Sequence, residues 1–421
     1  MNILISAGEV SGDVVGALLV DAIRADSPGN TVLGIGGPRM AAAGARIVFK
    51  TSHLGTVGLA EALATAPGFW HAFKALRQLV REHNPDVAVL IGNDVFNLVA
   101  ARWLRAQGVP TVSLFPPQVW IWRSLARFVV NSFDVVLTSF PEEQREYGRV
   151  RTSTHVAFVG HYLADLLQQR TATTIADARS RIGLPDAGRV ITLMPGSRGH
   201  EIHELLPPLA AAAARLSSEH PHTHFLVPVA EATHRAFIED TLRAYGPDIR
   251  VTILDGSSHD AMTAADVLLV ASGTATLEAA LLGVPMIILY RGSRFTFAVG
   301  RALVRLGVLR STTVGLPNLI LGKRVVPELL QLAVTPEAIA SAADKLLGSP
   351  QHQRDMVTAL AEAGRRVATG EALKRAAQTV LERGRAHQSL SLPHRGSASK
   401  GSKGGKMGCP RDSILITEDE A

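Results

Sequence analysis

The feature of this sequence that most constrains its fold is the alternation of short apolar runs with helical patterns over most of its 421 residues. Continuous apolar runs are typical of parallel strands that are covered on both faces. The pattern predicts an α/β protein with two doubly wound, Rossmann-like halves. The predicted strands are Ile3–Ser6, Val32–Ile35, Val87–Ile91, Thr111–Phe115, Val135–Leu137 and Ala157–Val159, then Val190–Met194, His224–Val229, Val251–Leu254, Val267–Ala271 and Met286–Tyr290.

Length and local composition divide the chain into two domains and a tail. A chain of this length exceeds what one hydrophobic core usually supports. The polar segment Gln168–Asp177 separates the two sets of strands, so we predict domains at 1–168 and 169–351. A helix at about 352–382 is expected to cross back onto the first domain. Residues 385–421 are rich in Ser, Gly, Lys and Pro, which predicts disorder.

Composition restricts the partners and the compartment. The single cysteine, Cys409, excludes an intrachain disulfide and indicates a reducing, cytoplasmic compartment. The first residues lack the basic region of a signal peptide, and no apolar stretch of the sequence is long enough to span a bilayer, so we expect neither a signal peptide nor a membrane span. The net charge of +6 is shared between the tail and the body. That mild charge argues against a nucleic-acid partner and is compatible with an anionic membrane surface.

The segment Ser272–Glu278 has the pattern of a phosphate pocket. It follows an apolar run and opens a helical pattern, with Ser272, Gly273 and Thr274 at the turn. The first amides of a helix lack internal partners and carry partial positive charge, so a diphosphate can bind there. Glu278 lies one turn into the helix, where its carboxylate could accept hydrogen bonds from ribose hydroxyls. A nucleotide-sugar site is one interpretation, and a plain helix cap is the other.

Two other turns follow predicted strands. Ser197 and Arg198 come after Val190–Met194, and a guanidinium matches a diphosphate well. A surface arginine at a helix start is the alternative. Glu9 and Asp13 lie in the glycine-containing turn after the first strand, whose spacing is not that of a dinucleotide fingerprint. Acidic residues there suit sugar hydroxyls better than phosphate, although Asp13 could merely cap the helix.

Further candidates lie between residues 94 and 161. Asp94 follows a strand and is the best local candidate for a general base, because an acceptor hydroxyl loses a proton as it attacks an anomeric carbon. A helix cap is equally compatible with it. Trp120, Trp122 and Arg123 could contact a sugar or an acyl chain, or simply pack in the core. His161 follows a strand and fits either an active site or a structural role.

Histidine spacing predicts no metal site. His200 and His203 are three residues apart without an apparent third ligand. Two segments mix aromatic and basic residues as interfacial helices do, at Gly68–Arg81 and Phe295–Arg310. Many helices that pack on a sheet have the same composition, so each segment alone leaves both interpretations open. One such segment in each half favours peripheral membrane contact.

Taken together, the motifs resemble the lipid-A-disaccharide synthase family of GT-B glycosyltransferases. The resemblance extends to about residue 382, and the ordered set is much more specific than any one block. The matching blocks are Ala7–Asp13, Gly36–Met40, Val57–Glu61, Phe96–Asn97, Val119–Arg123, Val159–His161, Leu193–Arg198, Ala271–Glu278, Pro285–Met286, Tyr290–Arg291, Leu316–Leu319 and Glu328–Gln331.

The resemblance implies a GT-B fold with two domains facing a central cleft. It implies inverting transfer of a diacylated glucosamine from UDP to diacylated glucosamine 1-phosphate, without a metal or cofactor. It also implies a peripheral location on the inner face of the cytoplasmic membrane, and homodimerisation is a further expectation. Glu9, with Asp13 nearby, would lie near the reacting sugars. The residues that would hold UDP are Arg198, Ser272, Gly273, Thr274, Glu278, Asn318 and Gln331.

One departure from the family pattern concerns the catalytic base. The family has Ile-Asp-x-Pro-Asp-Phe-Asn at this strand end, and Val95 occupies the place of its last Asp. Either Asp94 takes over, or the base lies elsewhere, or the chain has diverged. The alternatives are therefore a GT-B enzyme with another acceptor, a UDP-sugar epimerase, and a catalytically weak paralogue that keeps the UDP pocket.

Overall fold

The computed structural model describes residues 1–8, 10–50, 66–92, 95–117, 119, 125–168, 173–184, 188–246, 248–292 and 313–391. In these ranges the strands are β1 (Asn2–Ala7), β2 (Thr31–Gly36), β3 (Arg46–Lys50), β4 (Val87–Ile91), β5 (Thr111–Leu114), β6 (Val135–Thr138), β7 (His155–Phe158), β8 (Arg189–Met194), β9 (Thr223–Val229), β10 (Val251–Asp255), β11 (Val267–Ala271), β12 (Met286–Tyr290) and β13 (Glu328–Leu330).

Helices connect most of the strands. They are α1 (Val10–Asp26), α2 (Pro38–Ala42), α3 (Ala66–His83), α4 (Val95–Ala106), α5 (Ala126–Val130), α6 (Pro141–Gly148), α7 (Tyr162–Gln168), α8 (Ile175–Arg181), α9 (Gly199–Glu219), α10 (Arg235–Tyr245), α11 (Ser258–Thr263), α12 (Thr274–Leu281), α13 (Leu316–Leu321), α14 (Pro336–Leu347), α15 (Pro350–Val367) and α16 (Ala372–Ser391). Short 3-10 turns lie at Ala232–His234 and Gln331–Ala333.

The described strands form two parallel sheets. The first has the order β3-β2-β1-β4-β5-β6-β7, and the second β10-β9-β8-β11-β12-β13. Central strands such as β4 and β11 are buried along their whole length, because helices cover both faces of each sheet. The prediction of two doubly wound α/β halves is therefore confirmed. Every predicted strand is present, and β3 and β13 are additional.

The two halves share a hydrophobic core. Leu277 of α12 and Ile320 of α13 are buried in the same cluster as Ile5 of β1 and Val380 of α16. Apolar burial of this kind is the main term that holds packed layers together. The start of the second half's helix α12 consequently lies beside the first half.

The chain returns to the first half at its end. Between α15 and α16, Thr369 Oγ1 donates to Val159 O at 2.5 Å and Ala372 N donates to Asp165 Oδ2 at 2.5 Å. Helix α16 then packs against α1 and β4. The predicted crossing helix therefore consists of two helices, α15 and α16. The predicted start of the disordered tail at residue 385 is wrong, since α16 continues to Ser391; residues 392–421 lie outside the described part.

Candidate active site

The glycine turns of the second half lie at the switch point of its sheet. β8 and β11 are adjacent, with the strands that follow β8 added on one side and those that follow β11 on the other. Ligands of doubly wound sheets bind outside the carboxyl ends of the strands at this point. Gly196–Arg198 follow β8 and Ser272–Thr274 follow β11. The fold therefore brings the two predicted anion-binding turns to the same crevice.

The first turn of α12 is open to solvent. Gly273 and Thr274 are exposed, and a Cβ atom added to Gly273 would meet nothing within 4 Å. Ser272 Oγ donates a hydrogen bond of 2.8 Å to Val314 O, which ties the turn to the segment before α13. Because the first amides of α12 lie here, the crevice offers partial positive charge of the kind that binds a phosphate.

Arg198 stands at the start of α9 beside this turn. Its side chain is half exposed, and Nη1 donates to Glu201 Oε1 at 3.2 Å. Ser197 is exposed as well. Gly196 has φ +116°, and a Cβ atom there would lie 2.8 Å from Glu201 Cβ. The turn therefore requires glycine, and Arg198 is held by one ion pair with enough freedom to reach an anion.

Glu278, one turn into α12, is an acidic residue of the crevice. Its Oε2 atom lies 2.8 Å from Nε2 of His259, which is on α11. Helix α7 of the first half packs against α12. Burial raises the pKa of the Tyr162 phenol on α7, the charge of Glu278 adds to the rise, and Arg39 opposes it. An electrostatic interaction thus links Tyr162 of the first half to the carboxylate predicted to hold a ribose. His259 is a neighbour that the sequence analysis missed, because no motif links two residues on different helices.

Asn318 has a structural position beneath the crevice. It is 1% exposed, and its Oδ1 accepts from Val325 N and Val326 N at 2.7 and 2.9 Å. Its Nδ2 donates to Val326 O and to Glu328 Oε1 at 2.8 and 2.7 Å. Glu328 also accepts from Val314 N and Gly315 N. Direct binding of UDP by Asn318 stays a prediction, since these contacts serve the loop that receives Ser272.

Gln331 also binds the protein's own backbone. With its amide oriented to suit its neighbours, the side chain donates to Gly292 O and accepts from Gly292 N, both at 3.1 Å. Its φ of +56° is in the left-handed region, which a non-glycine residue rarely adopts. These contacts fix the turn after β12, and a role in holding UDP stays a prediction.

The first half has a switch point of its own, between β1 and β4. β1 and β4 are neighbours, and Asn97 bridges them: Ser6 Oγ donates to Asn97 Oδ1 at 2.9 Å, and Asn97 Nδ2 donates to Ile91 O at 2.8 Å. Glu9 and Asp94, the predicted catalytic residues, follow these two strands but lie outside the described residues. Their roles stay predictions.

Asp13 caps a helix. Its Oδ1 accepts from Gly37 N and Met40 N at 2.8 and 3.1 Å, and its Oδ2 accepts from Arg39 N at 3.0 Å. The carboxylate is 5% exposed and lies at the N-terminus of α2, where negative charge is stabilised. These contacts are structural, and they position Arg39. A catalytic role for Asp13 stays a prediction.

His161 is packed among aromatic rings. It is 6% exposed, and its ring lies 5.4 Å from Phe115, 5.4 Å from Phe140 and 4.9 Å from Tyr162 between centroids. Leu163 N donates to its Nδ1 at 3.3 Å. Burial lowers the pKa of His161 to about 3, so the ring is neutral at physiological pH. A role for His161 on the acceptor side stays a prediction beside this structural one.

The aromatic motif is described only in part. Trp120, Trp122 and Arg123 lie outside the described residues, whereas Val119 is fully buried. Val95, at the place of the family's Asp, is the first residue of α4 and is 65% exposed. An exposed valine at a helix start gains little from packing, so the fold tolerates valine in place of the family's Asp at this position.

Helix α6 carries a buried carboxyl group, that of Glu143. Glu143 of α6 is 2% exposed and accepts a hydrogen bond from Ser139 N at 3.2 Å. Burial raises the pKa of Glu143 to about 8. Tyr147, one turn further on, donates from its hydroxyl to Pro117 O at 2.6 Å. Glu143 lies in the first turn of the helix that follows a buried strand, and this position was the signal in the sequence that could have pointed to it.

In the described ranges, three potential metal ligands lie close together. Glu219, His220 and Asp344 bring one ligand atom each within 4.8 Å of one another. His220 and Asp344 form a 2.9 Å pair between α9 and α14, and Glu219 also pairs with Arg215. Within the part of the chain that the structure describes, no helix is both long enough and apolar enough to cross a bilayer.

Solved structures share this architecture. UDP-GlcNAc 2-epimerase from Neisseria meningitidis bound to UDP-GlcNAc matches with a TM-score of 0.61 at 14% identity, over 91% of this chain and 100% of that chain. The glycotransferase of kitacinnamycin matches with a TM-score of 0.55 at 16% identity, over 91% and 98%. The fold is therefore GT-B, as the resemblance implied.

Sequence comparison identifies the family. The profile described as lipid-A-disaccharide synthetase matches residues 3–380. Lipid-A-disaccharide synthase from Pseudomonas aeruginosa (strain UCBPP-PA14) is 38% identical over 384 residues, which are 91% of this chain and 99% of the relative. The chain belongs to the lipid-A-disaccharide synthase family and is a glycosyltransferase of lipid A biosynthesis.

Proposed function

We propose that the protein transfers 2,3-diacylglucosamine from UDP to 2,3-diacylglucosamine 1-phosphate with inversion, forming lipid A disaccharide 1-phosphate. A bond forms between the acceptor hydroxyl oxygen and the anomeric carbon. The bond from that carbon to the diphosphate breaks, UDP leaves with the electron pair, and the hydroxyl proton passes to a base. The observation that carries the proposal is the family match over residues 3–380 together with the crevice at the switch point of the second sheet.

The crevice supports the donor half of this reaction. The amides that begin α12 and the guanidinium of Arg198 offer positive charge for a diphosphate, and Glu278 offers acceptors for ribose hydroxyls. The structural neighbour from Neisseria meningitidis was solved with UDP-GlcNAc, a ligand with the same nucleoside diphosphate. Stabilising the charge that develops on UDP as it leaves would favour the transition state.

The acceptor half rests on the first sheet's switch point. Glu9 and Asp94 follow its two central strands in sequence, and we infer that Asp94 takes the hydroxyl proton because Val95 cannot.

The test is a turnover measurement with both acylated sugars in detergent or vesicles. The expected result is UDP release that depends on both substrates, with a disaccharide 1-phosphate detected by mass spectrometry. UDP release without the acceptor, or turnover with a soluble acceptor, would favour another GT-B enzyme. UDP binding without turnover would favour the catalytically weak paralogue, for which the exposed Val95 is the supporting observation.

We further propose that α3 contacts an anionic membrane surface. Its apolar face packs on the sheet through Leu76 and Leu79. The opposite side carries Trp70, Lys74, Arg77 and Arg81, which recur at helical spacing and are exposed. An exposed indole beside basic residues suits the headgroup region, where each Lys or Arg contributes about 1 kcal/mol.

Vesicle co-sedimentation tests this surface. Binding to vesicles of phosphatidylglycerol and phosphatidylethanolamine should fall at least tenfold in the combined variant Trp70→Ser, Arg77→Gln, Arg81→Gln. The matched control, Arg215→Gln with Arg243→Gln, changes exposed arginines of the second half and should bind as the unaltered protein does. If the α3 variant and the control lost vesicle binding equally, the binding would be due to net charge alone. The Phe295–Arg310 segment lies outside the described residues, and homodimerisation stays a prediction.

A further inference from the structure

The contact between His259 and Glu278 is short and largely protected from solvent. Nε2 of His259 lies 2.8 Å from Glu278 Oε2, and the two side chains are 23% and 19% exposed. An ionised carboxylate only accepts hydrogen bonds, so Nε2 carries the hydrogen and donates it. Within the described residues, the Glu278 carboxylate makes no other hydrogen bond. Its second oxygen is therefore available to a ligand.

The imidazole is held firmly by its helix. The turn before α11 places Gly256 and Ser257 in the left-handed region, with φ of +68° and +51°. Helix α11 is anchored to the sheet by Thr192 Oγ1, which donates to Ala261 O at 2.7 Å. On its other side, Asp260 pairs with Arg181 of α8 at 2.8 Å. His259 thus approaches Glu278 from a fixed backbone, so its hydrogen bond restricts the carboxylate to one orientation.

The orientation of the Glu278 carboxylate matters because of the ligand group that it would bind. Glu278 lies one turn inside α12, whose exposed first amides form the phosphate end of the crevice. A ribose joined to that phosphate presents two neighbouring hydroxyls, and a carboxylate binds such a diol well only when it is correctly oriented. A flexible glutamate would lose side-chain entropy on binding, and a preorganised one loses less.

We propose that His259 is a positioning residue that fixes Glu278 for the cis-diol of a nucleoside diphosphate. This inference rests on the proposed function, since it requires that a nucleoside diphosphate occupies the crevice. His259 acts through Glu278 and does not contact the ligand. Its contribution is therefore confined to the ribose hydroxyls and is independent of the phosphates.

The experiment compares UDP with 2′,3′-dideoxy-UDP by calorimetric titration. His259→Ala should weaken UDP binding roughly three- to tenfold, the range expected for one hydrogen bond. Because dideoxy-UDP has no diol, its affinity should be the same for His259→Ala and the unaltered protein. His259→Gln keeps an N–H donor and should restore most of the UDP affinity. In a Glu278→Ala background, adding His259→Ala should have no further effect.

The matched control is His220→Ala, which removes another histidine–carboxylate pair of the second half, 2.9 Å from Nε2 to Asp344 Oδ1. It should leave both affinities within twofold, and thermal melting should show that each variant folds. Equal weakening of UDP and dideoxy-UDP in His259→Ala, or unchanged UDP affinity, would overturn the inference alone. If the unaltered protein did not bind UDP, the proposed function would fail as well.

Discussion

The carboxylate of Glu328 and the side-chain amide of Asn318 lie 2.7 Å apart and act as one support beneath the crevice. Glu328 accepts from the backbone of Val314 and Gly315, and Asn318 binds Val325 and Val326. Val314 in turn accepts the hydrogen bond from Ser272. The position of the Ser-Gly-Thr turn therefore depends on two buried side chains that need not touch a ligand.

Replacing Asn318 with alanine should expose this dependence. The change leaves buried backbone groups without partners, so the free energy of unfolding should fall by about 2–4 kcal/mol. Chemical denaturation measures the loss, and UDP affinity should fall in the same variant because Glu328, which holds Val314, loses its contact with Asn318. Gln351→Ala, which removes an exposed amide, should change stability by less than about 0.5 kcal/mol. Equal effects of the two substitutions would contradict the supporting role.

Gly196 should not tolerate a side chain. Alanine at this position would press its Cβ against Glu201 Cβ at a backbone φ of +116°. Gly183→Ala is the matched control, since Gly183 has φ +72° with nothing within 4 Å of an added Cβ. Gly196→Ala should be less stable than Gly183→Ala by about 1–3 kcal/mol, the usual cost of overpacking. A similar melting temperature for both would show that Glu201 moves aside freely.

Glu143 should give stability an unusual pH dependence. Burial raises its pKa from 4.5 to about 8, so between these values the folded protein keeps a proton that the unfolded chain has released. The free energy of unfolding therefore falls as pH rises, by up to ~1.4 kcal/mol per pH unit. The stabilising contribution is fully present below pH 4.5 and is lost as pH passes 8. Burial lowers the pKa of His161 from 6.5 to about 3. Between these values His161 therefore makes the free energy of unfolding rise with pH.

Between pH 6.5 and pH 8, therefore, Glu143 changes the free energy of unfolding with pH and His161 does not. Glu143→Gln should reduce the loss of stability over this range relative to the unaltered protein, as measured by urea denaturation at each pH. Glu362→Gln, which changes an exposed carboxylate paired with Arg366, should leave the slope as it was. An unchanged slope in Glu143→Gln would show that the carboxyl ionises normally.

Substitution of Asp94 and Val95 tests the proposal that Asp94 is the general base. Asp94→Asn should lower kcat by about a hundredfold or more, the usual effect of losing a proton acceptor. Adding Val95→Asp should restore part of the activity, because Val95 is exposed at the place where the family has its Asp. Asp240→Asn, a surface change, serves as the control. Full activity in Asp94→Asn would remove Asp94 from the mechanism.

The sequence revealed the fold because its signal was local. Buried strands such as Val87–Ile91 are apolar along their length, whereas the edge strand β3 has three apolar residues between two basic ones, is only partly buried, and escaped detection. β13 has three residues, too few for a periodic signal. The anion-binding turns were also found, since a strand, a glycine and a helix start are consecutive in sequence.

Contacts between distant residues were not predictable in the same way. Asn318 and Gln331 were identified from motifs, but the sequence did not show that their amides bind Val326 and Gly292. His259 and Glu278 lie on different helices, and their contact depends on how α11 and α12 pack. Tertiary packing supplied these partners, and one-dimensional patterns do not record it.

Titration of UDP into the purified protein, Arg198→Ala and Glu278→Ala tests the central claim most directly. If the nucleotide binds where α9 and α12 begin, each substitution should weaken binding by about 1–3 kcal/mol, the range for a hydrogen bond to a charged group. Arg215→Ala, which removes an equally exposed arginine further along α9, should bind UDP normally. Unchanged affinity in both Arg198→Ala and Glu278→Ala would contradict the assignment of the crevice.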